Sequence, residues 1–225
     1  MRFRRRITAG PLCAAGRRGV KQAMKRSHFF AYLNRMKFIR RWGLMRSHVP
    51  ENVQEHTLQV AMIAQALAVL RNRRHGGHVS PEHAAVLAMY HEVSEIFTGD
   101  MPTPVKYFNH DIRAIYKTIE VAAVRKLYAT LPADLAPDFA PYVLTPEEDE
   151  LWPLVKAADT LSAFLKCAEE RAAGNPEFDE AYATIRGTLA ESPVPEVKDF
   201  LEIFAPSFEL SLDELNRTLA EDDHA

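Results

Sequence analysis

Five side chains in this sequence have the types and spacing for chemistry: His56, the adjacent His91 and Glu92, Glu95, and Asp159. Val53, His56, Val60, Ile63 and Leu67 recur at helical steps, as do Ala84, Leu87, Ala88, His91 and Glu95. Asp159 lies among Leu151, Val155, Ala158, Leu161 and Leu165. A carboxylate on such an apolar face must be paired with a cation or a metal, because desolvating it alone is too costly. One divalent ion satisfies several of these groups together, and imidazoles and carboxylates from separate helices suit Mn²⁺, Fe²⁺, Co²⁺ or Zn²⁺. Each residue also has a structural reading. An inward histidine can be hydrogen-bonded core, Asp159 can pair with an arginine, and Glu95 can cap a helix or pair with a lysine. Spacing alone leaves these readings beside the metal centre.

The elements that position these groups are expected to be helices. Only nine glycines occur in 225 residues, 47% of residues are hydrophobic, and mean hydropathy is −0.22, which disfavours a glycine-punctuated β-sandwich. Periodicity predicts a helix over 27–39 behind Ser27, and a second from Val53 that ends before Gly76 and Gly77. A third is opened by Ser80-Pro81-Glu82 and runs through Glu95. A breaker-rich loop follows from Thr98, and then a helix marked by Ile112, Ile115, Ile119, Ala123 and Leu127. Residues 132–146 read as a short helix or loop. Helices are predicted over 148–173, 178–190 and 196–204, and a last one behind the capping box Ser211 to Glu214. His75, His78 and His83 read as surface. The economical description is one all-α domain, a helical bundle over 24–220.

Charge and cysteine content exclude several classes of function. Residues 1–26 hold nine Lys or Arg and no acid, which leaves 19 basic side chains against 30 acidic ones in the rest. Such an acidic body argues against binding a nucleic-acid polymer, although a small anion in a local pocket remains compatible. The longest apolar run, from Val60 to Leu70, is far short of the roughly 20 residues that span a bilayer, so no membrane association is expected. Cys13 and Cys167 cannot form a zinc ribbon or a disulfide framework and suit a reducing cytoplasm. Residues 1–23 read as a disordered basic extension or, if Met24 is the true start, as an over-extended reading frame. A mitochondrial-type presequence is the weaker alternative.

At Tyr90-His91-Glu92-x-x-Glu95, followed by Thr98-Gly-Asp100-x-Pro-Thr-Pro-Val-Lys-Tyr, the sequence resembles the bacterial 5′-deoxynucleotidases of the HD-domain phosphohydrolase superfamily. Further matching stretches are Ser27-His-Phe-Phe-Ala, Arg41-Trp42, Glu51-Asn-Val-x-Glu-His56, Ala88-Met-Tyr-His91, Val155-Lys-x-Ala-Asp159 and Ile203-Phe-Ala-Pro-Ser-Phe. They cover nearly everything in 24–215. The resemblance implies an HD-domain fold, a homodimer, and metal-dependent hydrolysis of deoxyribonucleoside 5′-monophosphates. It implies His56, His91, Glu92 and Asp159 as metal ligands and Glu95 as the carboxylate that activates water. Arg41 would orient the phosphate and contribute to catalysis. Trp42 would crowd the sugar against a 2′-hydroxyl, and Asp100, with His56, Glu92 and Asp159, would also contact substrate. Without the resemblance, Trp42 reads as a core or lid aromatic. The family's remaining contacts fall near 144–148, where this chain is one residue shorter, and no individual residue is carried across there.

One position departs from the family pattern. The superfamily is named for His-Asp, whereas this chain has His91-Glu92, whose arm is longer by one C–C bond of about 1.5 Å. Glu92 can coordinate after a small shift, or through water. Two alternatives follow: another HD phosphohydrolase acting on triphosphates or cyclic nucleotides, and a nucleotide- or metal-binding regulator that has lost catalysis.

Overall fold

Asn52 starts the longest helix. Its side chain accepts from the backbone N–H groups of Gln54 and Glu55, while Glu55 accepts from the Asn52 N–H, so several of the donors a helix start exposes are satisfied. The computed structural model describes residues 26–106 and 108–222, with side chains to 217; the expectations for 1–23 lie outside the described residues. The helices are α1 (Phe29–Leu33), α2 (Val53–Arg74), α3 (Pro81–Met89), α4 (Glu95–Thr98), α5 (Thr103–Lys106) and α6 (His110–Tyr128). They continue with α7 (Ala136–Val143), α8 (Trp152–Ala172), α9 (Asp179–Ala190), α10 (Glu196–Ile203) and α11 (Leu212–Asp222). Among the described residues there is no strand beyond one isolated antiparallel bridge between Arg40 and Asn52, so the fold is all-α. No helix among the described residues is long and apolar enough to cross a membrane.

α2 packs against α3 and α8, and this trio holds the larger core. The predicted inner stripes are fully buried: Val53, His56, Val60 and Leu67 of α2, and Val155, Ala158, Leu161 and Leu165 of α8, with all but Val53 and His56 belonging to that core. Each buried leucine contributes about 1.5–3 kcal/mol through the water it no longer orders. α2 stops at His75, where Gly76 turns at φ +67° and the Gly77 N–H returns to the Arg71 carbonyl. α8 stops at Gly174, φ +81°. Ser80 caps α3 through the His83 N–H, with Pro81 at the first turn. A smaller core of Phe29, Val93, Leu127 and Val143 lies under α1, α6 and α7.

Four expectations are corrected. The helix over 27–39 is α1 followed by a 3₁₀ stretch, Asn34–Phe38, because Ile39 must turn extended (ψ 113°) for its carbonyl to reach the Val53 N–H. Tightening the turn still buries Met36 and leaves Phe30 exposed. The third helix stops at Met89 and does not run on to Glu95. In α6 the inner positions are Tyr116, Ala123 and Leu127, while Ile115 and Ile119 are exposed; the helix borders a cavity along much of its length, from Arg113 to Tyr128. His83 is half-buried: its Nε2 lies 2.5 Å from Asp149 and its Nδ1 3.3 Å from the Tyr142 hydroxyl, tying α3 to the start of α8.

Candidate metal centre and active site

His56 comes from α2, Asp159 from α8, and His91 and Glu92 from the turn between α3 and α4. That turn has a local cause. The His91 Nδ1 donates to the Ala88 carbonyl at 2.7 Å, occupying the acceptor that the Glu92 N–H would use if α3 continued. The backbone answers with three-residue turns, Tyr90 N–H to Leu87 and His91 N–H to Ala88, and α4 restarts at Glu95.

One ligand atom from each of His56, His91, Glu92 and Asp159 lies within 4.8 Å of the others. The His56 Nε2 is 3.1 Å from Asp159 Oδ1, and the His91 Nε2 is 3.5 Å from Glu92 Oε1 and 3.9 Å from Asp159 Oδ1. Atoms bonded to one ion at about 2.0–2.2 Å stand roughly 3–4 Å apart, so the spacing fits a shared cation. The hydrogen bonds fit as well. The Ser162 hydroxyl donates to Gln59 Oε1 at 2.5 Å and therefore accepts from His56 Nδ1 at 3.1 Å. Both imidazoles thus spend their proton on Nδ1 and turn a bare Nε2 inward, where neither buried nitrogen has a hydrogen-bond partner. His56 Nε2 and Asp159 Oδ1, facing each other at 3.1 Å, are placed to share a cation. Lys156 Nζ binds the other oxygen, Asp159 Oδ2, at 2.6 Å, leaving Oδ1 to the histidines.

Electrostatics divide the acids into two kinds. Burial raises the Asp159 pKa, but the His56 imidazole, Lys156 and His91 outweigh it and hold the carboxyl well below the usual range. Burial also raises Glu92, and the charges of His91 and Lys156 reverse that, so its net shift is downward. Burial lowers the His91 pKa, against the raising influence of Glu92 and Asp159. Glu95 behaves oppositely: burial first, then the charges of Glu92 and Asp100, push it up to about 10. It is 5% exposed, and its Oε2 has no hydrogen-bond partner. Burial also raises Asp100.

Arg41 and Trp42 open the loop that precedes α2. Burial lowers the Arg41 pKa, but Glu51, Asp159, Glu92 and Asp100 raise it further, so the guanidinium is a fixed cation in the field of the metal group. Trp42 has φ +59°, a region that costs a bulky side chain about 1–3 kcal/mol, and its ring meets the buried Phe178 at a centroid distance of 5.3 Å. On the other flank, His91 and Glu92 form part of the wall of a cavity of about 800 Å³, within the range that holds a nucleotide. Lys106, Tyr116 and Trp152 line it, together with Leu144 to Glu147, the stretch that the sequence could not assign. Neither Arg41 nor Trp42 lines this cavity. Sequence reasoning missed Gln59, Ser162 and Lys156. Lys156 is visible as a basic residue one turn before Asp159, whereas nothing in the sequence pairs Ser162 with His56, which is 106 positions away.

The model of the family described as 5′-deoxynucleotidase YfbR-like matches residues 28–208. The chain belongs to this family. It is similar to the 5′-deoxynucleotidase VP0926 of Vibrio parahaemolyticus, with 55% identity over 196 residues, 86% of this chain and 100% of that protein. It is 53% identical over 195 residues to the 5′-deoxynucleotidase YfbR of Escherichia coli, covering 86% and 98% of the two chains. Among solved structures, an HD-domain phosphohydrolase from Listeria innocua superposes with a TM-score of 0.71 at 24% identity, over 86% of this chain and 96% of the other. That likeness establishes the HD-domain fold of this YfbR-like chain.

Proposed function

We propose that this protein is a metal-dependent phosphomonoesterase, a 5′-deoxynucleotidase that converts deoxyribonucleoside 5′-monophosphates to deoxyribonucleoside and phosphate. The observation that carries the reading is the convergence of His56, His91, Glu92 and Asp159 on one point beside the buried Glu95 carboxyl, whose Oε2 has no hydrogen-bond partner. Membership of a family whose curated relatives are named 5′-deoxynucleotidases supplies the substrate class. Those four residues would hold Mn²⁺, Co²⁺, Fe²⁺ or Zn²⁺, and the ion supplies Lewis acidity that brings water toward hydroxide near neutral pH.

In the reaction, water adds to phosphorus, the bond from phosphorus to the 5′ oxygen breaks, and the proton lost by water ends on the leaving oxygen. Glu95 is the group that takes up and relays that proton; its buried carboxyl stands beside the ligand group with Oε2 free of any hydrogen-bond partner. Arg41 neutralises phosphate oxygens with its planar fork, a geometry that lysine lacks. Trp42 is a rigid ring beside that fork and disfavours a 2′-hydroxyl by overlap. Asp100, in the field of Arg41, contacts the substrate as well. The inclusion of Glu92 in the ligand group supports a catalytic reading over a regulator without turnover, since the longer arm reaches the common point.

The reading extends to a cytoplasmic homodimer. Cys167 is a buried free thiol, as a reducing compartment allows, and Leu58 and Met62 are exposed on one side of α2. Light scattering on the purified protein checks the dimer. A substrate panel tests the function: phosphate release from dAMP and dTMP exceeding that from AMP and UMP supports it, and preference for ribonucleotides, triphosphates or cyclic nucleotides rejects it.

A further inference from the structure

Glu51 belongs neither to the metal group nor to the chemistry above, yet Arg41 and Trp42 meet on it. Its Oε2 accepts from Arg41 Nε at 3.0 Å and from Trp42 Nε1 at 2.9 Å. The loop they span does not need that side chain to close. The Arg41 N–H donates to the Glu51 carbonyl, Arg40 bridges Asn52, and the Val53 N–H donates to Ile39. The far side of the loop is held separately: Glu170 accepts from the N–H groups of His48 and Val49, Lys166 binds the Val49 carbonyl, and Asn175 binds the Arg46 carbonyl.

What the main chain leaves open is the direction of two long side chains. A guanidinium docked by Nε on one carboxylate oxygen has its plane fixed, and Glu51 hydrogen-bonds that nitrogen alone, so it does not consume the two terminal nitrogens. An arginine without this partner has three competing acids in Asp159, Glu92 and Asp100, and capture by any of them would draw it off the phosphate. The indole, held by its N–H on one side and Phe178 on the other, cannot rotate as a free surface ring does.

We propose that Glu51 is a positioning residue whose single oxygen sets the Arg41 fork and the Trp42 ring together, coupling phosphate orientation to discrimination at the sugar. This rests on the roles given above to Arg41 and Trp42, and one arm of its test does not depend on them. The chain has two tryptophans, so in a Trp152→Phe background Trp42 is the sole tryptophan and its emission is read by excitation that spares the tyrosines. There, adding Glu51→Ala shifts the emission to the red and raises acrylamide quenching about twofold or more, while Glu51→Gln, which keeps an acceptor, stays near the parent. In the manganese-loaded protein with both native tryptophans, Glu51→Ala raises KM for dAMP about tenfold and lowers the dAMP/AMP ratio of kcat/KM by a similar factor, with Glu51→Gln between. Manganese affinity, measured by competition with a chromogenic chelator, is unchanged, which a general loss of structure would not allow. An unmoved Trp42 emission, or a full dAMP/AMP ratio in Glu51→Ala, overturns the proposal. If the unmodified protein releases no phosphate from dAMP, the proposed reaction fails and the fluorescence arm alone decides the role of Glu51.

Discussion

Ser162 offers only a hydroxyl, but the state of His56 depends on it. With its proton committed to Gln59, the hydroxyl can only accept, so His56 carries its proton on Nδ1 and its lone pair on Nε2. Ser162→Ala removes that bias and is expected to weaken manganese binding about 10–100-fold, with recovery in Ser162→Thr; chelator competition measures it. Glu95→Gln keeps size and burial but cannot accept a proton. It should retain the metal and the substrate while kcat falls about 10²–10⁴-fold, and a normal kcat would remove Glu95 from the mechanism. Of these residues, His56, His91, Glu92, Glu95 and Asp159 were legible in the sequence because each interrupts an apolar stripe. Gln59, Ser162 and Glu51 were not assigned, because their partners are defined by tertiary approach or by a loop closing on itself rather than by helical period.

At the scale of elements, periodicity located α2, α8 and the start of α3 because each presents a largely apolar face to the others. It failed where a side chain competes with the backbone, as His91 does for the Ala88 carbonyl, and where a helix borders a cavity, as α6 does. The loop carrying Arg41 and Trp42 depends on α8 through Glu170, which is 2% exposed on its side chain. Burial raises this carboxyl, but hydrogen bonds from Lys166, Asn175 and the His48 and Val49 N–H groups lower it from an ordinary value of 4.5 to about 2. A depressed folded-state pKa stabilises the fold above the unfolded value and loses that contribution as pH falls. Stability should therefore decline between about pH 4.5 and 2, and Glu170→Gln should flatten that decline in urea melts followed against pH. A melt with the same acid slope in both proteins would exclude Glu170 as its source.

For the whole molecule, the metal group joins three stretches that are distant in the chain, those around His56, His91 and Asp159. An ion that binds only where these meet stabilises the folded state by about 2.7 kcal/mol at a hundredfold excess over its dissociation constant, raising Tm by roughly 5–10 °C for a chain of this size. Chelator-treated protein should melt lower by that amount and regain it with Mn²⁺ or Co²⁺. Asp159→Ala should show no such difference. The cavity beside the metal group is lined by Lys106, Lys117 and Lys156 among others, which suits a small anionic substrate.

Titrating Mn²⁺ into chelator-stripped protein while following phosphate release from dAMP tests the central claim most directly. Activity should start near zero, rise with each addition and saturate at one ion per chain. Full turnover by the stripped protein, or none after one equivalent has bound, would contradict a metal centre built from His56, His91, Glu92 and Asp159.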